Sequence, residues 1–168
     1  MFSAGEITWK DFEVASTLDL KAAGAFRYTA DTSTRAIVLA YAIGDSPVRI
    51  WHAGGAILDW NDAPDDLHAA YASGAPFAAW NASFDGAVWN YATLGFPFLA
   101  PERVIDPMIQ AGVSNLPTDL ESASRALGGT GTWAAAAASI AAAASIAAAA
   151  GQRSTASPAS GLAPPMHA

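Results

Sequence analysis

Apolar residues along this chain fall into short runs separated by turn-forming residues, a pattern that predicts β-strands. Residues 36–43 form a continuous and partly β-branched run, typical of a strand buried on both faces. A turn signal at residues 44–47 leads into residues 48–52, where apolar and polar positions alternate. Because the connection is short, these two strands are predicted to form an antiparallel hairpin. Three further runs predict strands, at residues 7–10, 76–80 and 104–106.

Elsewhere the apolar spacing is helical. Leu67, Ala70 and Tyr71 stand at i, i+3 and i+4, which predicts a helix with one buried stripe that ends at Gly74. Apolar content and turn signals predict further helices at residues 87–94, 107–111 and 118–127.

The start of the last of these helices resembles a capping box, with Thr118 as the cap and Glu121 three residues later. Residues 14–35 show no clear period and are predicted to be a loop that crosses beside the first strand. The order of strands and helices predicts a mixed sheet of about five strands with helices packed on it, which is an α/β domain.

Composition narrows the possible functions. The 168 residues contain no cysteine, which excludes disulfides and cysteine zinc sites, and the formal net charge is −7. The eight Lys and Arg residues are scattered, and none lies between Arg49 and Arg103. Tight binding to a nucleic-acid backbone without metal ions is therefore not expected. No secretory signal is visible at the N-terminus, so a cytoplasmic location in a bacterial or phage-infected cell is expected.

Acidic residues mark a candidate site. Asp11 and Glu13 close the first predicted strand at its carboxyl end, and they point the same way because side chains alternate along a strand. Asp85 comes just after the fourth predicted strand, and parallel neighbours would bring all three carboxylates to one end of the sheet, where α/β sheets bind ligands. Such oxygens suit a divalent cation such as Mg²⁺. A strand end with solvated acids is the simpler alternative.

Longer segments extend this pattern to a family resemblance. Asp11-Phe12-Glu13, the segments LDLKAAGAFRY, AIVLAYAI and VRIW, and WNASFD at a strand-to-helix junction occur in this order. Together they resemble the DnaQ-like 3′–5′ exonuclease domain of phage-type family A DNA polymerases, within the ribonuclease H-like class. The resemblance runs from about residue 7 to 129, so residues 1–129 are predicted to be an exonuclease-like domain and residues 130–168 a tail.

The resemblance implies roles for individual residues. Asp11 would bridge two divalent ions, Mg²⁺ or Mn²⁺, while Glu13 would hold the ion that activates water and Asp85 the second ion. Asn81 would orient the substrate or its loop, and Phe84 would lie at the substrate-binding segment and mainly pack. The implied activity is hydrolysis of DNA phosphodiester bonds at a single-stranded or frayed 3′ end, with a DNA polymerase as a further partner and no membrane association.

The chain also departs from the family pattern. The family's third motif, a Tyr or His followed four residues later by an Asp, is missing, and no Asp or Glu follows Glu121. Asp106 could replace the lost acid, but its place before a helix favours a structural role. Val14 stands where the family often has a hydroxyl residue. The resemblance therefore implies a truncated enzyme of weak or no activity; a non-catalytic nucleic-acid-binding or polymerase-associated module and a structural remnant remain as alternatives.

The tail has a different composition. The Ala-rich residues 133–151 have high helix propensity but no firm apolar stripe, and they are less apolar than a Leu-rich membrane span. Residues 152–168 are rich in Ser, Ala, Pro and Gly, which predicts disorder. The abrupt change near Gly129 raises the hypothesis of a shifted reading frame, which sequencing the neighbouring DNA tests; no third motif in either other frame would contradict it.

Overall fold

A computed structural model describes residues 7–126 of the chain, and a five-stranded mixed sheet lies at its centre. The strands are β1 (Thr8–Ala15), β2 (Arg35–Ile43), β3 (Arg49–His52), β4 (Phe77–Ala78) and β5 (Val104–Ile105). The helices are α1 (Leu20–Ala23), α2 (Ala25–Thr29), α3 (Asp65–Ala72), α4 (Ala82–Tyr91), α5 (Pro107–Val113) and α6 (Leu120–Ala126). The predicted α/β class is confirmed, and the arrangement is consistent with a ribonuclease H-like fold.

The sheet has the order β3-β2-β1-β4-β5, with β1 in the middle. β1 pairs antiparallel with β2, and β2 with β3, which confirms the predicted hairpin. On its other side β1 runs parallel to β4, and β4 parallel to β5. The β1–β4 ladder contains only Thr8 and Trp9 of β1. On the β4 side, the backbone of β1 beyond Trp9 therefore has no strand partner, while on its other side it stays paired with β2 up to Ala15.

Apolar side chains of β1 enter two separate clusters because the strand alternates. Phe12 belongs to the larger cluster, which surrounds Trp89 of α4, a residue with no exposed surface. Trp9 belongs to a smaller cluster with Ala78, and Leu120 of α6 packs against it. The central strand thus anchors both layers of the fold, and Asp11 and Glu13 share the face of Trp9.

Two predicted boundaries were wrong in ways that affect the site. β1 continues past Glu13 to Ala15, so Asp11 and Glu13 lie just inside the end of the strand and not at its last residues. α4 begins at Ala82, five residues before its predicted start, so Asp85 lies in the first turn of a helix. Polar residues at the start of α4 hid this turn from a reading based on apolar periodicity.

Residues 14–35 do not form the predicted loop. The segment contains the end of β1 and the helices α1 and α2, which are too short to show a hydrophobic period. The carboxylate of Asp19 caps α1 by accepting hydrogen bonds from the N–H groups of Lys21 and Ala22. Gly24, with φ of 75°, separates the two helices in a conformation that glycine adopts readily.

The last predicted helix is present as α6, but it begins at Leu120 and its cap differs from the predicted one. The Asp119 carboxylate, rather than Thr118, accepts a hydrogen bond of 2.8 Å from the N–H of Ser122. Leu127, the domain boundary at residue 129 and the whole predicted tail lie outside the described residues. Within residues 7–126, none of the helices has the length and apolar character needed to cross a bilayer.

Candidate carboxylate site

Asp11 and Glu13 lie on one face of β1, on the part of the strand beyond its pairing with β4. Both line a pocket of about 260 Å³, together with Val38 and Ala40 of β2 and Ile50 of β3. Ala40 and Val38 are the cross-strand partners of Asp11 and Glu13, so the pocket follows directly from the β1–β2 register. Two carboxylates therefore face an apolar groove on the sheet.

Asp85 approaches β1 from a different direction. Its side chain is buried, and Oδ1 accepts a hydrogen bond of 3.2 Å from the backbone N–H of Phe12. The carboxylate thus satisfies a β1 donor beyond the two-residue ladder with β4. This contact fixes the start of α4 against the strand that carries Asp11 and Glu13.

Lys10 is the residue of this region that the sequence analysis did not single out. Its side chain has no exposed surface, and Nζ lies 4.0 Å from Oδ1 of Asp85. Nζ also lies 5.3 Å from the centroid of the Phe12 ring and has no hydrogen-bond partner within residues 7–126. Burial lowers the pKa of Lys10 to about 8, against the opposing effect of the Asp85 and Asp11 carboxylates.

The sequence does contain a sign that Lys10 is buried beside an acid. It is the one charged residue of the run 7–10, and strand alternation places it on the face of Phe12. A lysine predicted to face the larger apolar cluster calls for an acidic partner, because an isolated ammonium is costly to bury.

The carboxylates are close enough to influence one another. Burial, together with the negative charges of Asp85 and Glu13, raises the pKa of Asp11 to about 6, while the Lys10 ammonium opposes the shift. Burial also raises the pKa of Asp85, against the effects of the Lys10 ammonium and of the hydrogen bond from Phe12. Asp11 and Asp85 are thus electrostatically coupled, although only Asp11 lines the pocket.

Asp106 has the structural role that its position favoured. One carboxylate oxygen accepts a hydrogen bond of 3.0 Å from the N–H of Met108 and caps α5, and the other accepts one of 2.9 Å from the N–H of Ala82 in α4. Both oxygens are used by helix N-termini, and Asp106 does not line the pocket of Asp11 and Glu13, although its charge contributes to raising the pKa of Asp85.

Asn81 and Phe84 flank Asp85 in the chain but face different surroundings. Asn81 is exposed and adopts a left-handed backbone conformation, with φ 60° and ψ 54°, at the residue before α4. Phe84 is half-buried and packs against Tyr28, with ring centroids 6.3 Å apart. Phe84 therefore packs as predicted, and the proposed substrate role of Asn81 stays a prediction.

The donor set suits one ion better than two. Asp11 and Glu13 share one open pocket, and two carboxylates with retained water are a common environment for Mg²⁺. Within residues 7–126 there is no group of three His, Asp or Glu side chains that could hold an ion. A second ion at Asp85 fits poorly, because the buried Lys10 ammonium lies 4.0 Å from Asp85 Oδ1 and would repel the ion.

The sequence was also compared with known proteins. No family model matches it, and no curated protein sequence matches it. The family resemblance therefore rests on the residues of this chain, and the activity that follows from it is a proposal.

Proposed function

We propose that this domain is a metal-dependent nuclease of the 3′–5′ exonuclease type that hydrolyses DNA phosphodiester bonds with low activity. The observation that carries the proposal is the position of Asp11 and Glu13 in one pocket, with Asp85 bonded to the intervening residue of the same strand. The ribonuclease H-like sheet supports it, since the site lies at the carboxyl end of β4.

The open groove next to the carboxylates would receive the substrate phosphate. Asp11 and Glu13 would hold Mg²⁺ or Mn²⁺, and a bound divalent ion supplies positive charge and lowers the pKa of a coordinated water. The pocket also has apolar walls formed by Val38, Ala40 and Ile50. In a chain with a net charge of −7, approach of a DNA 3′ end would depend on such an ion.

Calorimetry with Mn²⁺ tests the metal site. The full chain is expected to bind Mn²⁺, and Asp11→Asn is expected to abolish the binding because it removes the central ligand. Glu102→Gln is the matched control, since Glu102 is an exposed acid near β5, away from β1. Equal Mn²⁺ binding by the full chain and by Asp11→Asn would contradict the proposal.

A labelled single strand then separates the enzyme from its alternative. Mn²⁺-dependent shortening of the strand from its 3′ end, lost in Asp11→Asn, supports the nuclease. The absence of any acid after Glu121 favours instead a module that binds a 3′ end, alone or beside a DNA polymerase, without cleaving it. Metal-dependent retention of an intact strand in a mobility assay would identify that second function.

A further inference from the structure

We propose that Lys10 takes the place of a second divalent ion, so that this carboxylate site binds a single ion. The inference rests on the proposed function, because it concerns the same site, and it specifies how many ions the site holds. It assigns Lys10 a role that acts through Asp85 and not through contact with substrate, since the Lys10 side chain has no exposed surface.

Contacts of Lys10 point to this role. Its ammonium lies 4.0 Å from Oδ1 of Asp85 and has no hydrogen-bond partner among residues 7–126. A buried ammonium without hydrogen bonds is costly, so a charge partner must offset its desolvation. Asp85 is the acid that lies within ion-pair distance of it.

Asp85 is correspondingly less available as a metal ligand. The oxygen that faces Lys10 is the same Oδ1 that accepts the Phe12 N–H. The side chain is buried, and it does not line the pocket that Asp11 and Glu13 share. A cation held at Asp85 would lie close to a fixed ammonium, and like charges at such distances repel strongly in a buried environment.

Charge balance leads to the same conclusion. Asp11, Glu13 and Asp85 contribute three negative charges, and Lys10 returns one positive charge from the opposite face of β1. One divalent ion balances the remainder. The neighbouring Asp106 accepts N–H groups at two helix starts, which offset part of its charge, although that charge still contributes to raising the pKa of Asp85.

Counting bound Mn²⁺ ions by electron paramagnetic resonance on the full chain tests the proposal. The expected result is one ion for the wild type and two for Lys10→Met, because removing the ammonium leaves Asp85 with an uncompensated charge. The double variant Lys10→Met with Asp85→Asn is expected to return to one ion. Two ions in the wild type, or one ion in a folded Lys10→Met, would overturn the inference and leave the proposed function intact.

Asp85→Asn alone decides the matter if Lys10→Met does not fold. Asparagine keeps an oxygen for the Phe12 N–H and removes the charge. The proposal requires Mn²⁺ affinity close to that of the wild type, whereas loss of a ligating carboxylate would remove most of the binding, since ions of this kind are held by few carboxylates. Loss of most of the binding overturns the inference, and no ion in the wild type overturns it together with the proposed function.

Discussion

Burial raises the pKa of Asp11, and this makes the stability of the domain depend on pH. Its pKa is about 6 in the folded chain, against 3.8 in the unfolded one, because burial and the charges of Asp85 and Glu13 disfavour the carboxylate. Well below pH 3.8 both states are protonated and this effect costs no stability. As the pH rises from 4 to 6 the unfolded chain ionises first, so the folded state loses stability and keeps that deficit at neutral pH.

Asp11→Asn should therefore stabilise the metal-free protein at pH 7. The expected gain is about 1–2 kcal/mol, allowing for solvent screening of a partly exposed carboxyl. Urea unfolding in the presence of a chelator measures it, with the same experiment at about pH 3 as the control, where both states are largely protonated and the two proteins should converge. An equal gain at both pH values would show that ionisation of Asp11 is not its cause.

Asn81 adopts a left-handed backbone conformation that few residue types tolerate. It and Asn115 are the non-glycine residues between 7 and 126 with positive φ, at 60° and 55°. Left-handed backbone costs most L-residues about 1–2 kcal/mol, and asparagine and glycine tolerate it best. Asn81→Ala should therefore lower the free energy of unfolding by about 1 kcal/mol, whereas Asn81→Gly should leave it nearly unchanged.

The same pair of substitutions at Asn115 is the control for this backbone effect. It also separates structure from function at Asn81, since Asn81→Gly removes the side chain while preserving the backbone. Weaker binding of a DNA 3′ end by a stable Asn81→Gly would assign the side chain to the substrate. Alanine as stable as glycine at residue 81 would show that the conformation carries no cost.

At the scale of elements, Asp106 joins two helices. It caps α5 and bonds the N–H of Ala82, so one carboxylate fixes the starts of both α5 and α4. Asp106→Ala is expected to cost about 2–3 kcal/mol, since it removes a cap and leaves a partly buried N–H without its partner. Asp119→Ala is the matched control because Asp119 caps only α6 and is exposed; about 1 kcal/mol is expected there.

Thermal or urea unfolding of the two variants gives the comparison. If Asp106→Ala costs no more than Asp119→Ala, the second hydrogen bond to α4 contributes nothing. A larger loss accompanied by weaker Mn²⁺ binding would mean that the position of α4, and with it Asp85, depends on this carboxylate.

Elements with strong local signals could be predicted from the sequence. The β2–β3 hairpin follows from a continuous apolar run and a short turn, and α3 buries Leu67 and Ala70 as its spacing requires. The helices α1 and α2 could not be predicted, because helices of four and five residues show no period. The acids Asp11, Glu13 and Asp85 located the site in the sequence. The ion pair between Asp85 and Lys10 was missed, because it depends on Lys10 lying on the face of β1 that α4 covers.

At the scale of the whole molecule, one face of the sheet is covered by a large apolar cluster, while the other is partly open beside the carboxylates. The larger cluster lies around Trp89, whose ring centroid is 4.9–6.3 Å from those of five other aromatic residues: Phe12, Trp60, Tyr71, Phe77 and Phe96. On the pocket side, Ile50 is 59% exposed and Val38 is half-buried. The groove beside the carboxylates therefore has room for a ligand, or for another segment of protein.

The tail is the part of this chain that could cover the groove, and its sequence argues against it. It carries one charged residue, Arg153, and few large apolar residues: Trp133, Ile140, Ile146, Leu162 and Met166. Burial of such side chains contributes roughly 1.5–3 kcal/mol each, whereas ordering the backbone costs about 1–2 kcal/mol per residue. No more than two of these side chains share a helical face, so docking of the whole tail is not expected to be favourable.

Removing residues 132–168 should therefore leave the folding of the N-terminal part nearly unchanged. Thermal unfolding of the full chain and of residues 1–131 measures this, and a chain ending at residue 150 is the control that keeps the Ala-rich segment. The three melting temperatures are expected to agree within a few degrees, since about 1 kcal/mol shifts the midpoint of a domain of this size by about 4–8 °C or less. A fall of more than about 10 °C in the shortest chain alone would contradict the boundary at residue 129. It would show that the Ala-rich segment completes the core.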